Sequence, residues 1–189
     1  MSRLRVISGT ARGRKLKLVP GDVTRPISDR VKEALFNILQ PDLPECSFWD
    51  LFGGTGSVGI EALSRGAGYV RIVDQNKQAI KTIHENLEIT GLGQNAEVLQ
   101  ADAFALLRRT PDRAFDYIYI APPQYHEMWS KAMGLIDSAP GWSVEDGWVV
   151  VQIDPKEYLP LELEHYSEFD QRKYGRTLLV FYERKLLDG

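Results

Sequence analysis

The sequence predicts an α/β fold: a seven-stranded, mostly parallel sheet ending in an antiparallel hairpin, with helices on both faces and a β-hairpin arm at the N-terminus. Three observations predict it. From residue 47, strand-like and helix-like stretches alternate strictly through residue 153, the pattern of parallel strands joined by crossover helices. Only Tyr174, Gly175 and Arg176 stand between the last two candidate strands. That is too short for a helical crossover, so this pair is antiparallel. Finally, a glycine-rich turn, Gly53 to Gly59, separates the first strand of the alternation from its first helix. Open α/β sheets hold nucleotide-like ligands at such a turn.

The elements follow in order. Residues 3–8 and 15–19 alternate apolar and charged side chains (Leu4, Val6; Leu16, Leu18), with Gly9 and Gly13 between them. This is the pattern of a β-hairpin arm, and Pro20-Gly21 ends it. Ser28 is placed to cap a helix over 28–40, in which Val31, Ala34, Leu35, Ile38 and Leu39 recur at helical spacing and which Pro41 stops. Candidate strands cover 47–52, 69–74, 96–100, 115–120, 147–153, 162–170 and 176–183. Candidate helices cover 55–65, 76–90, 102–109 and 125–138. The expected organisation is a basic arm, 1–24, on an α/β domain, 25–189.

Composition narrows the function. A chain of 189 residues forms one domain that buries roughly 70% of its unfolded surface. Hydrophobic content of 43% and charged content of 26% are those of an ordinary globular protein. Cys46 is the single cysteine, which excludes an internal disulfide framework and a multi-cysteine zinc site and fits a reducing compartment. His84, His126 and His165 have no metal-ligand spacing, so no metal is expected. No apolar run approaches the ~20 residues of a membrane span. The opening residues are charged and lack an apolar signal core, so a cytoplasmic location and no membrane partner are expected. The net charge of −3 hides an asymmetry: residues 1–32 hold nine Lys/Arg and two acids, and the remainder 14 and 24. A basic end on an acidic body reads as nucleic-acid contact concentrated there. Arg12, Arg14, Lys15, Arg25 and Arg30 are the candidate nucleic-acid-binding residues.

The turn itself narrows the ligand. Gly54 to Gly59 reads G-T-G-S-V-G, and Asp74 lies twenty residues past Gly54, where an acid takes the two hydroxyls of a ribose. Those residues alone suggest NAD. Asp50, at the strand end just before the glycines, argues instead for S-adenosylmethionine. A carboxylate there repels a pyrophosphate and suits an ammonium and a sulfonium. The candidate cofactor-binding residues are Asp50, Phe52, Gly53, Gly54, Gly56, Asp74, Gln75, Asp102 and Ala103. Asp102 is placed to meet the adenine amino group or to cap the helix that follows it. Asn76 caps the helix whose apolar face is Ile80, Ile83 and Leu87. A parallel sheet closed by one antiparallel hairpin is the layout of the Rossmann-like class I methyltransferases.

Longer motifs then carry a resemblance over nearly all of the chain. RVISGTARGRKLKLVP, TRPISDRVKEALFNIL and DLFGGTGSVGIEALSRGA, in that order, are similar to the opening, the RPT-x-DRV-x-E-x-LFN signature and the DLFAGSGALGLEALSRGA stretch of the bacterial 16S ribosomal RNA guanine-N2 methyltransferases of the RsmD type. The resemblance implies transfer of a methyl group to the exocyclic N2 of a guanine, with 16S ribosomal RNA or a small-subunit particle as partner.

One departure bears on catalysis. The family has Asp-Pro-Pro-Tyr or Asp-Pro-Pro-Phe after the fourth strand; here Ala121, Pro122, Pro123, Gln124 and Tyr125 stand there. These five are the candidate catalytic residues. An amine on an aromatic base is a poor nucleophile, because its lone pair is delocalised. An acceptor side chain and the proline carbonyl bind its two hydrogens and aim the lone pair, while the aromatic residue stacks on the flipped base. Ala121 offers no acceptor. The Pro122 carbonyl remains, Tyr125 is in place to stack, and Gln124 brings an amide oxygen. The alternative is a catalytically silent protein that binds cofactor and RNA.

Overall fold

Among residues 4–21, 26–124 and 127–186, the part of the chain that the computed structural model describes, the patterning resolves into five α-helices and seven strands. The chain divides into two units, Met1–Asp102 and Ala103–Gly189.

In the first unit, strands β1 (Ser47–Asp50), β2 (Tyr69–Asp74) and β3 (Ala96–Gln100) are parallel. Asp50 pairs with Ile72, and Asp74 with Gln100. Both acids therefore stand at carboxyl ends of strands, where open α/β sheets bind ligands. The helices are α1 (Asp29–Leu39), α2 (Ser57–Ser64) and α3 (Lys77–Thr90). Ser28 caps α1 by accepting from the Val31 N–H, and Asn76 caps α3 by accepting from Gln78 and Ala79, as the sequence predicts. Leu35, Phe36, Phe48, Trp49, Ile72 and Ile83 are fully buried and form the core of this unit. Every residue of α2 is buried, including Ser57, Glu61 and Ser64. A helix covered on all sides is ordinarily apolar throughout; these three polar side chains have partners elsewhere.

The second unit holds α4 (Ala103–Leu107), β4 (Phe115–Ile120), α5 (Met128–Ser138), β5 (Ser143–Ile153), β6 (Tyr166–Tyr174) and β7 (Thr177–Arg184). Strand β5 lies parallel to β4 and antiparallel to β7, and β6 closes the hairpin against β7. Tyr174 pairs with Thr177, leaving a two-residue turn in which Gly175 takes φ +59°, as tight hairpins require. The strand order is β3-β2-β1-β4-β5-β7-β6, so the predicted seven-stranded mixed sheet with its antiparallel end is present.

Three expectations need correction. The sixth strand spans Tyr166–Tyr174 rather than 162–170. Its register is set by the tight turn and by buried Tyr166, whose hydroxyl shares a 2.6 Å hydrogen bond with Ser143 Oγ. The fifth strand begins at Ser143 rather than at 147. The N-terminal β-hairpin arm is not a regular hairpin: residues 4–21 form a looped segment with a single antiparallel bridge, Arg5 to Lys15. The limbs do exchange backbone hydrogen bonds beside that bridge, from the Val6 N–H to the Arg14 carbonyl at 3.0 Å, from Leu16 to Leu4 at 2.9 Å and from Gly13 to Val6 at 2.9 Å, while other N–H groups of the segment go to tertiary acceptors. Glu61 accepts from the Ile7 and Ser8 N–H groups, the Ser64 hydroxyl from Ala11, and Asn86 from Lys17. Leu4, Val6, Ala11, Leu16 and Val19 are buried, so the segment is docked on the first unit.

Candidate active site

The glycine turn is built by the ends of β1 and β2. The Gly53 N–H donates to the Val73 carbonyl at 2.7 Å, and Gly56 closes back on Gly53 at 2.8 Å. A Cβ on Gly53 would stand 2.5 Å from Ile72 Cγ2, so packing alone demands glycine there. Gly54 is different. It takes φ +56°, and a Cβ would meet nothing within 4 Å. The space over it is open.

Asp50 lies beneath the start of α2, 1% exposed. Its Oδ2 accepts from the Gly59 N–H at 3.2 Å. The N-cap of α2 is Gly56, which has no side chain to offer, so the Asp50 carboxylate does the capping from below. Burial holds the Asp50 carboxyl well above the usual carboxylate range; the Gly59 N–H opposes this and the Asp74 charge adds to it. Asp74 is half-buried at the end of β2. Its Oδ2 accepts from Gly54 N at 2.9 Å and its Oδ1 from Asn76 N at 2.8 Å. Asp74 thus orders the turn, and each oxygen keeps a lone pair for a further donor.

The remaining sequence-predicted residues fall as follows. Phe52 is half-buried and Gln75 exposed, with the Gln75 carbonyl accepting from Gln100 Nε2 at 3.5 Å. Asp102 is exposed, and Ala103 is the buried first residue of α4. In the second unit, Ala121 and Pro122 are half-buried just after β4, and Pro123 and Gln124 are exposed. Tyr125 and Arg25 lie outside the described residues, as does His126. Arg12, Arg14, Lys15 and Arg30 are exposed. Among the described residues no group of His, Cys, Asp and Glu is arranged to hold a metal, and no helix is long and apolar enough to cross a membrane.

Sequence reasoning missed a buried polar network in the first unit. Glu61, fully buried, pairs with Arg65 Nε at 2.9 Å and with Lys32 Nζ at 3.5 Å. Burial pulls the Lys32 ammonium below the usual lysine range, against the opposing pull of Glu61 and Asp29. The one local signal was charge at apolar positions: Glu61 interrupts the apolar run of α2, and Lys32 stands beside Val31 on the buried side of α1.

A cation-bearing nucleoside fits this donor set. Gly54 leaves open space, Asp74 supplies an acceptor beside it, and Asp50 supplies a buried carboxyl group, its ionisation opposed by burial, at the helix N-terminus where a dinucleotide's pyrophosphate would otherwise sit.

Comparisons with known proteins place the chain among named methyltransferases by similarity. The family model described as Conserved hypothetical protein 95 matches residues 4–183. A Bacillus subtilis protein named "Putative rRNA methyltransferase YlbH" is 36% identical over 184 residues, covering 96% of this chain and 100% of its own length. The Escherichia coli K12 protein "Ribosomal RNA small subunit methyltransferase D" is 28% identical over 97% of this chain and 91% of its own. The solved structure "Putative methyltransferase yhhF from Escherichia coli" superposes with a TM-score of 0.86 at 28% identity, over 97% of this chain and 99% of that one. All three are named as methyltransferases, which leaves the silent-binder alternative without support. The chain belongs to the Conserved hypothetical protein 95 family, which holds the RsmD-type proteins that its motifs resemble.

Proposed function

We propose that this protein transfers a methyl group from S-adenosylmethionine to the exocyclic N2 of a guanine in small-subunit ribosomal RNA. The observation that carries the reading is the buried Asp50 carboxylate capping α2 beneath an open glycine turn. A carboxyl group there offers a pyrophosphate no positive partner and, ionised, favours a ligand with cationic groups. The relatives' names support RNA as the substrate.

In this reading Asp74 binds the ribose hydroxyls, Gly53, Gly54 and Gly56 bring the backbone close to the ligand, and Asp102 meets the adenine. When bound, the cofactor supplies the methyl group and a sulfur that leaves with its electron pair. The protein's own work is to orient the guanine amine. The Pro122 carbonyl accepts one amino hydrogen, Gln124 is the candidate second acceptor, and Tyr125 stacks on the base. The N2 proton passes to an acceptor in this loop or to water. Arg12, Arg14, Lys15, Arg25 and Arg30 contact the RNA backbone.

The direct test is tritiated-methyl transfer to small-subunit particles lacking their native guanine methylations, followed by nucleoside analysis. Label in N2-methylguanosine is expected; label in another nucleoside overturns the guanine-N2 assignment.

Three further outcomes are expected. Gln124→Ala lowers turnover by on the order of tenfold with little change in cofactor affinity, because the lost hydrogen bond acts mainly in the transition state. Ala121→Asp is tolerated and restores the acceptor that RsmD-type proteins carry. Full turnover in Gln124→Ala removes that residue from the site. Replacing Arg12, Arg14 and Lys15 by alanine weakens RNA binding and lowers the log–log salt slope by about 2–3, as fewer counterions are released. An unchanged slope places the RNA surface elsewhere.

A further inference from the structure

Two fully buried polar side chains tie the basic segment to the glycine turn, each from a different helix. Lys32, on α1, donates from Nζ to the Arg5 carbonyl at 2.5 Å and to Ser57 Oγ at 2.8 Å. Asn86, on α3, accepts from the Lys17 N–H at 2.7 Å and donates from Nδ2 to the Lys17 carbonyl at 3.1 Å and the Thr55 carbonyl at 2.9 Å. Both side chains are 0% exposed. One clamp therefore joins each limb of the segment, at Arg5 and at Lys17, to the turn, at Ser57 and at Thr55. Thr55 and Ser57 flank Gly56, whose φ of +79° sets the start of α2.

We infer that Lys32 and Asn86 are positioning residues that make the RNA-contacting segment and the cofactor turn one mechanical element, so that RNA and cofactor each tighten the binding of the other. The physical reason is specific to these bonds. A buried carbonyl or hydroxyl that loses its partner pays its full desolvation penalty, so neither limb of the segment shifts without displacing the turn or orphaning a buried group. RNA that fixes the segment lowers the conformational freedom left for the cofactor to order, and coupling of this kind is reciprocal. The inference rests on the reading of Arg12, Arg14 and Lys15 as RNA contacts.

The test measures binding and needs no turnover. S-adenosylhomocysteine is titrated calorimetrically into the full-length protein, alone and saturated with an unmodified small-subunit ribosomal RNA transcript. In the wild type the affinity is expected to rise at least about fivefold with RNA, the low end of ordinary coupling. Lys32→Met removes the clamp at Arg5 and Ser57 together with the 3.5 Å Lys32–Glu61 pair, and leaves Glu61 paired with Arg65. Ser57→Ala removes one hydroxyl and serves where Lys32→Met does not fold. In either variant the ratio is expected to fall toward one, and Lys32→Arg, which keeps donors for both acceptors, restores it. A wild-type ratio of one with both ligands bound overturns the inference, as does a ratio unchanged in a folded Lys32→Met or Ser57→Ala protein. The Arg12, Arg14 and Lys15 triple alanine variant separates the two failures. If its RNA affinity and salt slope are those of the wild type, the RNA reading fails and takes the coupling with it. If its slope drops while the Lys32→Met ratio stays at the wild-type value, the coupling alone fails.

Discussion

Glu61→Leu is expected to lower the folding stability by roughly 3–5 kcal/mol, the penalty for removing one member of a buried ion-pair network. The substitution leaves the buried Lys32 ammonium and Arg65 guanidinium without their shared carboxylate, and it orphans the Ile7 and Ser8 N–H groups that Glu61 holds at 2.9 and 3.0 Å. For a chain of this size that loss lowers the melting temperature by about 6–20 °C. Since whole domains are stable by only about 5–15 kcal/mol, reduced expression is an expected companion. Chemical denaturation of wild type and variant checks the value. A difference below ~1 kcal/mol means that the docked segment is not held through Glu61.

Asp50→Asn is expected to weaken S-adenosylhomocysteine binding while stabilising the protein without ligand at neutral pH. The asparagine keeps an oxygen for the Gly59 N–H and removes the buried ionisable group. A hydrogen bond or close contact to a charged group is worth about 1.5–3 kcal/mol, roughly 10- to 150-fold in affinity. The pH dependence follows from the sign of the shift. The folded-state pKa of Asp50 is raised, with burial as the main cause, so the folded state holds its proton more tightly than the unfolded state. The stability from this group is complete below the unfolded carboxylate pKa and is lost as pH rises toward the folded one. The Asn variant lacks that loss. Conversely, a cationic ligand favours the ionised carboxylate, so wild-type affinity rises with pH through the same window and the variant's is flat by comparison. Thermal melts and calorimetric titrations between pH 4 and 8 check both. NAD is expected to bind neither protein. Wild-type affinity in Asp50→Asn withdraws Asp50 from the cofactor site.

Much of the architecture was legible because its causes are local. Asn76 and Ser28 cap their helices through N–H groups two or three residues away, and Gly175 makes its turn with its own φ. The placement of Asp50 and Asp74 at strand ends also followed from pattern alone. The role of Asp50 did not. The sequence suggested a partner for a ligand's cation, and the structure adds that the carboxylate caps α2, a contact across nine residues that exists only once β1 and α2 have packed.

What the sequence by itself determined is therefore the order and type of the elements, the antiparallel end of the sheet, the position of the glycine turn, and the family, since period, turn chemistry and motif spacing all reside in neighbouring residues. What only the tertiary structure decided is where the basic segment lies and what holds it. Its alternating side chains promised a hairpin; the limbs pair only around Arg5 and Lys15, and the N–H groups of Ile7, Ser8, Ala11 and Lys17 meet Glu61 and Ser64, 53 to 54 residues away, and Asn86, 69 residues away. The physical reason is competition for hydrogen bonds. Burial of α2 and α3 leaves a carboxylate, a hydroxyl and an amide in the interior that cannot remain unpaired. The segment satisfies them with N–H groups that its own limbs leave unpaired, while Val6 and Leu16 keep their bonds to Arg14 and Leu4, an arrangement set by packing at long sequence separation.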